Sequence, residues 1–252
     1  MTTSTQGTAV VTDAASGIGA IYADRLARRG YDLVLVARNC ERLDDVARRP
    51  TTDETGRTVK VVAADLAEKM DLGRIEALLR SDLSISLLVN SASVGVSGPL
   101  AEFDVDKMED MIALNVRALT RLTSAAVPGF VSRGGGTIIN IASGVIAPGI
   151  LNGVYAGTKA FVLALSLSLH EQLSDKNIRV QFWEIAGHPI EHLPRQIVMQ
   201  AGDMIDAALA GLDYDELAIL SPLPDAADWQ AYGRGSEAIR QSEQVEASND
   251  DI

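Results

Sequence analysis

A short apolar run, Thr8-Ala9-Val10-Val11-Thr12, leads into a turn of mostly small residues, Asp13-Ala14-Ala15-Ser16-Gly17-Ile18-Gly19. The turn opens into a stretch with Ile21, Leu26 and Ala27 at helical spacing. Strand, glycine-bearing turn and helix in immediate succession constrain the fold strongly, because free backbone N–H groups and the helix dipole converge there and form a cradle for an anion. The alternation continues. Strand signals at 32–37, 58–64, 85–89, 137–142, from 178 and at 216–221 interleave with helical stretches at 40–49, 105–132, from 155 and at 193–212. The run at 32–37 is apolar almost throughout, as a parallel strand buried on both faces must be. This pattern predicts an α/β fold, a Rossmann-type doubly wound parallel sheet. A chain of 252 residues that is 47% hydrophobic can bury one sizeable core, so a single domain is expected over 1–224. Residues 225–252 hold seven carboxylates and two arginines and read as an acidic, partly disordered extension, with Trp229 and Tyr232 as docking points.

The formal charge of -12 speaks against nucleic acid or an anionic membrane as a partner, since both would be repelled. Cys40 is the only cysteine, which rules out an internal disulfide. The first six residues lack the charged and apolar regions of a secretory signal, and no apolar run approaches the roughly 18 residues a membrane span needs. A cytoplasmic protein is expected. His188 and His192, with Glu184 and Glu191, invite a metal reading, but Pro189 breaks any helix that would align the imidazoles and a third strong ligand is missing. No metal is expected there; a loop covering substrate is.

Tyr155 and Lys159 stand four residues apart in a helical stretch, so phenol and ammonium share a face. A free tyrosine has a pKa of about 10, and a cation within a few ångströms favours its ionised form, which makes the pair suited to proton transfer. Ser143, at the end of an apolar strand twelve residues upstream of Tyr155, is placed to donate a second hydrogen bond to the same substrate oxygen. The helix from Tyr155 carries Phe161, Val162, Leu163, Leu165, Leu167 and Leu169 on more than one side. It needs cover on two faces, which predicts a homodimer or homotetramer. Asn115 lies within the 105–132 helix, where Pro128 is expected to cause a bend. Burying its amide unpaired would cost about 1–3 kcal/mol, so it must bond to something.

Taken in order, the glycine-bearing turn, Asn90, Asn115, Ser143, Tyr155 and Lys159 resemble the short-chain dehydrogenase/reductase family across roughly residues 6–220. The resemblance implies that Ser143, Tyr155, Lys159 and Asn115 handle the proton, Asn115 through a water linked to Lys159, while a nicotinamide carries the hydride. It also implies a dinucleotide held by Thr12, Asp13, Ser16, Gly17, Ile18, Gly19, Asp65, Leu66, Asn90 and Ala92, with Tyr155 and Lys159 at its ribose. Arg38 directly follows the 32–37 strand, where a planar guanidinium suits a 2′-phosphate, so the phosphorylated cofactor NADP(H) is expected.

Three departures from the family pattern weigh on that cofactor. Asp13 stands at the first glycine of the turn, and its carboxylate about 5 Å from a phosphate would cost roughly 3 kcal/mol unless it turns away, caps the helix or pairs with an arginine. Ser93 stands where the Asn-Asn-Ala-Gly motif has its last glycine. From 178 the chain reaches Phe182-Trp183-Glu184 so soon that the strand looks about ten residues short, without its Pro-Gly cover. Two functions therefore stand side by side: an NADP(H)-dependent reductase or dehydrogenase of a small carbonyl or alcohol, and a protein of the same fold doing non-redox acid–base chemistry or acting as a non-catalytic partner.

Overall fold

A computed structural model describes residues 6–48, 54–95, 102–143, 153–185, 200–214 and 217–220. Seven strands, β1 (Thr8–Thr12), β2 (Asp32–Ala37), β3 (Val59–Ala63), β4 (Ile85–Asn90), β5 (Gly136–Ser143), β6 (Ile178–Ile185) and β7 (Ala218–Leu220), form one sheet in the order β3-β2-β1-β4-β5-β6-β7. Every pairing is parallel. The connecting helices are α1 (Gly17–Arg28), α2 (Cys40–Ala47), α3 (Lys69–Ser81), α4 (Val105–Ile112), α5 (Leu119–Arg133), α6 (Gly153–Leu173) and α7 (Ala201–Asp213).

Side chains alternate across a strand, and here both faces are apolar. Val11, Leu33, Leu35, Leu87, Val89, Ile139 and Ile141 pack on one side with Tyr22 and Leu26 of α1 and Ile205 and Leu209 of α7. Their neighbours Val10, Val34, Val36, Leu88 and Ile138 pack on the other with Ile75 of α3 and Leu122 and Phe130 of α5. A sheet clothed on both faces leaves its ligand-binding edge at the C-terminal ends of the strands, and the order reverses between β1 and β4, which opens a crevice there.

The helix predicted over 105–132 is interrupted by a wide π turn, Ala113–Ala118, with Asn115 inside it, and then continues through Pro128 to Arg133. Single π turns concentrate at functional sites because they re-aim one side chain at the expense of regular hydrogen bonding.

The expected truncation of the sixth strand is not found. β6 is eight residues long and pairs with β5 along its whole length, from Gly136–Ile178 to Ser143–Ile185. A parallel strand's length is set by its neighbour, and β5 holds its partner in register past Trp183 and Glu184, residues that broke the apolar run in sequence. The helix predicted over 193–212 starts at Ala201, after an extended Gln200, with 186–199 outside the described residues. Also outside them are the expected histidine loop, the cover over the cofactor and the acidic tail.

Candidate active site

β1 ends at Thr12, whose hydroxyl is fully buried and fully engaged. It donates to the carbonyl of Val89 (3.1 Å) and accepts from the N–H groups of Ser91 (2.9 Å) and Ala92 (3.0 Å). Thr12 thus ties the ends of β1 and β4 together across the crevice, and its role is to position the walls; no hydrogen-bonding capacity is left for a ligand.

Asp13 follows with a left-handed backbone, φ 52°. Glycine adopts that conformation without strain, and aspartate is among the few other residues that tolerate it. The turn is tight: a Cβ at Gly19 would lie 2.3 Å from the Asp13 carbonyl oxygen, so only glycine fits. Gly17, φ 53°, has nothing within 4 Å of where its Cβ would be, which leaves its backbone uncovered at the start of α1. Ser16 is the N-cap of α1, and its side chain makes no capping bond. Ile18 is half-buried beside it. Asp13 does not cap α1 either. Its carboxyl retains solvent access, yet the surrounding protein pushes its pKa up, and Arg38's charge pulls partly against that.

A cavity of about 380 Å³ opens from this turn. Asp13, Arg38, Asp65, Leu66, Ala92 and Ser93 line it, together with Met111 and Leu114 from the wall opposite. Arg38 is exposed at the end of β2, next to Asn39, which caps α2 by accepting from Arg42 N–H (2.9 Å). Asp65 spends one carboxylate oxygen on the N–H of Ala67 (2.9 Å). Its turn is braced further by Asp71, which accepts from the Asp65 N–H (2.9 Å).

Asn90 lies deeper than a ligand contact would require. Its amide donates to Thr123 Oγ1 (3.1 Å) and to Asn140 Oδ1 (2.9 Å), and Asn140 donates in turn to Ser166 Oγ (2.9 Å). All four residues are buried. They link β4, β5, α5 and α6 beneath the crevice floor.

Above that floor, Lys159 is 3% exposed and donates to the carbonyl of Ile141 (3.0 Å). Burial without an anionic partner lowers its pKa to about 8. Its Nζ lies 5.7 Å from the centre of the Tyr155 ring, so the two side chains predicted to cooperate are adjacent. Tyr155 is half-buried, and its ring lies against Gly95, where a Cβ would be 3.1 Å from Cε2. Asn115 is held by protein partners on both ends of its amide. Its amide pairs with both backbone groups of Val94 (2.9 Å each) and donates to Thr158 Oγ1 (3.1 Å), whose hydroxyl donates to the Tyr155 carbonyl (2.8 Å). Asn115 therefore clamps the segment carrying Gly95 to the helix carrying Tyr155. Ser143 closes β5 opposite Ile185; its side chain lies outside the described residues.

Thr158 and Gly95 stand in none of the sequence motifs. Thr158 sits within the Tyr155–Lys159 spacing and was legible as a hydroxyl beside the pair. Gly95 becomes relevant only through a tertiary contact. Lys107, Glu68 and Asp110, which also line the cavity, carried no motif.

The short chain dehydrogenase family matches residues 7–187. A very-long-chain 3-oxoacyl-CoA reductase of Anas platyrhynchos is 40% identical over 179 residues, 69% of this chain and 57% of the relative, so the chain matches little more than half of that protein. An uncharacterized oxidoreductase of Staphylococcus epidermidis is 33% identical over 68% of this chain and 74% of its own length. Among solved structures, the bulky-bulky ketone specific alcohol dehydrogenase of Comamonas testosteroni has a TM-score of 0.88 and 40% identity, covering 94% of this chain and 95% of its own. A short-chain dehydrogenase of Sphingobium yanoikuyae in complex with NADPH has a TM-score of 0.88 and 41% identity over 93% and 95%. With the family match spanning most of the described fold, the chain belongs to the short-chain dehydrogenase/reductase family and is an oxidoreductase of that type.

Proposed function

We propose that the protein catalyses NADP(H)-dependent reduction of a ketone or aldehyde, or the reverse oxidation of the alcohol, with Tyr155 as proton donor. The adjacency of a buried lysine and Tyr155 carries this reading. The residues present fit a dinucleotide. The turn from Asp13 to Gly19 offers open backbone at Gly17 for a pyrophosphate, Asp65 and Leu66 line the space for an adenine ring, and Arg38 suits a 2′-phosphate. When bound, the nicotinamide supplies or accepts the hydride.

The chain's own residues then manage the oxygen. The Tyr155 hydroxyl gives its proton to the substrate oxygen, and the Lys159 ammonium stabilises the phenolate left behind. Ser143 at the end of β5 donates to the same oxygen. Asn115 holds Gly95 against Tyr155, restricting the ring and excluding water from one side. The ketone named for the Comamonas testosteroni relative makes ketones with two bulky substituents the first substrates to test.

A homodimer or homotetramer is part of the proposal. α4 and α6 pack side by side, and Ile112 on the first and Phe161 on the second leave 44% and 36% of their surfaces exposed. We place the enzyme in the cytoplasm on its lone, free Cys40. No helix among the described residues is long and apolar enough to cross a membrane.

The non-redox alternative draws on the Asp13 carboxylate at the turn, where it opposes a pyrophosphate. Calorimetric titration with NADPH separates the two. A micromolar Kd supports the reductase, and no binding at millimolar concentration supports the alternative.

A further inference from the structure

Arg38 makes no ion pair or hydrogen bond through its guanidinium among the described residues, although it lies at the rim of the cavity. The cavity is acidic: Asp13, Asp65, Glu68 and Asp110 outnumber Arg38 and Lys107. Of those acids, Asp65 has one oxygen committed to Ala67 N–H, whereas Asp13 stands beside the end of β2 that leads into Arg38: β1 pairs with β2 up to Thr12–Val36, and the Ala14 N–H donates to the Val36 carbonyl (3.2 Å). Asp13 cannot drift far from this position. Its backbone is fixed in the left-handed region by a turn that Gly19 closes from behind.

We infer that Asp13 is a specificity-determining residue: its carboxylate competes with an incoming 2′-phosphate for Arg38, and so narrows the preference for phosphorylated over unphosphorylated adenine nucleotide. This rests on the dinucleotide reading above. An anion built into the site offsets the cation that would recognise the ligand's extra phosphate, and discrimination depends on the difference between the two ligands rather than on either affinity alone. Repulsion of the pyrophosphate weakens both nucleotides equally. Competition for Arg38 weakens one of them further.

The test compares adenosine 2′,5′-bisphosphate with adenosine 5′-monophosphate, which differ only in the 2′-phosphate. Both are titrated calorimetrically into full-length wild type, Asp13→Asn, Arg38→Ala and the double variant. Asparagine tolerates the left-handed conformation as well as aspartate does and removes only the charge. We expect Asp13→Asn to raise the preference for the bisphosphate by about three- to tenfold, the range for two unit charges near a wet surface. In the Arg38→Ala background the same change should alter that preference by less than twofold. Equal strengthening of both nucleotides by Asp13→Asn, or an undiminished effect without Arg38, would overturn the inference while leaving the dinucleotide reading intact. No binding of either nucleotide to wild type or to Asp13→Asn at millimolar concentration would overturn that reading, and the inference with it.

Discussion

At the residue scale, two positions carry the sharpest predictions, Lys159 and Gly19. Lys159 is enclosed, and its pKa falls to about 8 because burial penalises its charge. Below that pH both folded and unfolded chains hold the proton, and the fold bears the full cost of a buried cation. Between about pH 8 and 10.4 the unfolded chain binds more protons than the native one, so stability rises with pH across that window. Urea denaturation at pH 7 and pH 10 should show wild type gaining on Lys159→Met by up to about 3 kcal/mol. Activity should move the opposite way, since the ammonium is needed: the rate of ketone reduction should fall above about pH 8, and that limb should vanish in Lys159→Met along with most of the activity. Gly19 is the second position. In Gly19→Ala the new methyl collides with the Asp13 carbonyl, so the turn must open. A melting temperature lower by about 3–10 °C is expected, corresponding to an overpacking cost of roughly 1–3 kcal/mol, together with at least a tenfold weaker NADPH titration.

At the scale of elements, two ties hold the crevice: Thr12 between β1 and β4, and the Asn90–Asn140–Ser166 chain beneath. Asn140→Ala strips an acceptor from Asn90 and a donor from Ser166, both out of reach of water. The expected cost is about 2–4 kcal/mol, seen as a thermal transition lowered by roughly 5–15 °C. These ties also mark what the sequence could and could not disclose. The strand–turn–helix at β1 was legible because it is local, and Tyr155 with Lys159 because helical spacing fixes a shared face. Thr12 and Asn90 were expected at the ligand because their place in the order suggested it, while their partners at Ser91, Ala92 and Asn140 exist only once strands distant in sequence pair. The same holds for Asn115. A buried amide was recognised as needing partners, but Val94 is brought to it by the path of the chain after β4. β6 runs further than its own apolar stretch for a related reason, since its extent follows its pairing with β5.

For the whole molecule, a parallel sheet covered on both faces concentrates function at one edge. The proposed oligomer would use its outer helices. Ile112 and Phe161 lie on neighbouring helices with apolar surface exposed, so a double change to aspartate should convert a dimer or tetramer to monomer in light scattering, with the thermal transition retained within a few degrees. An unaltered mass would remove α4 and α6 from the interface. The most direct measurement is NADPH consumption during reduction of a bulky ketone by wild type and Tyr155→Phe, with NADPH affinity measured on both proteins. We expect turnover to fall at least a hundredfold in the variant while its Kd for NADPH stays within about threefold, because the lost hydroxyl serves proton transfer. Equal turnover in the two proteins would contradict a proton-donating Tyr155.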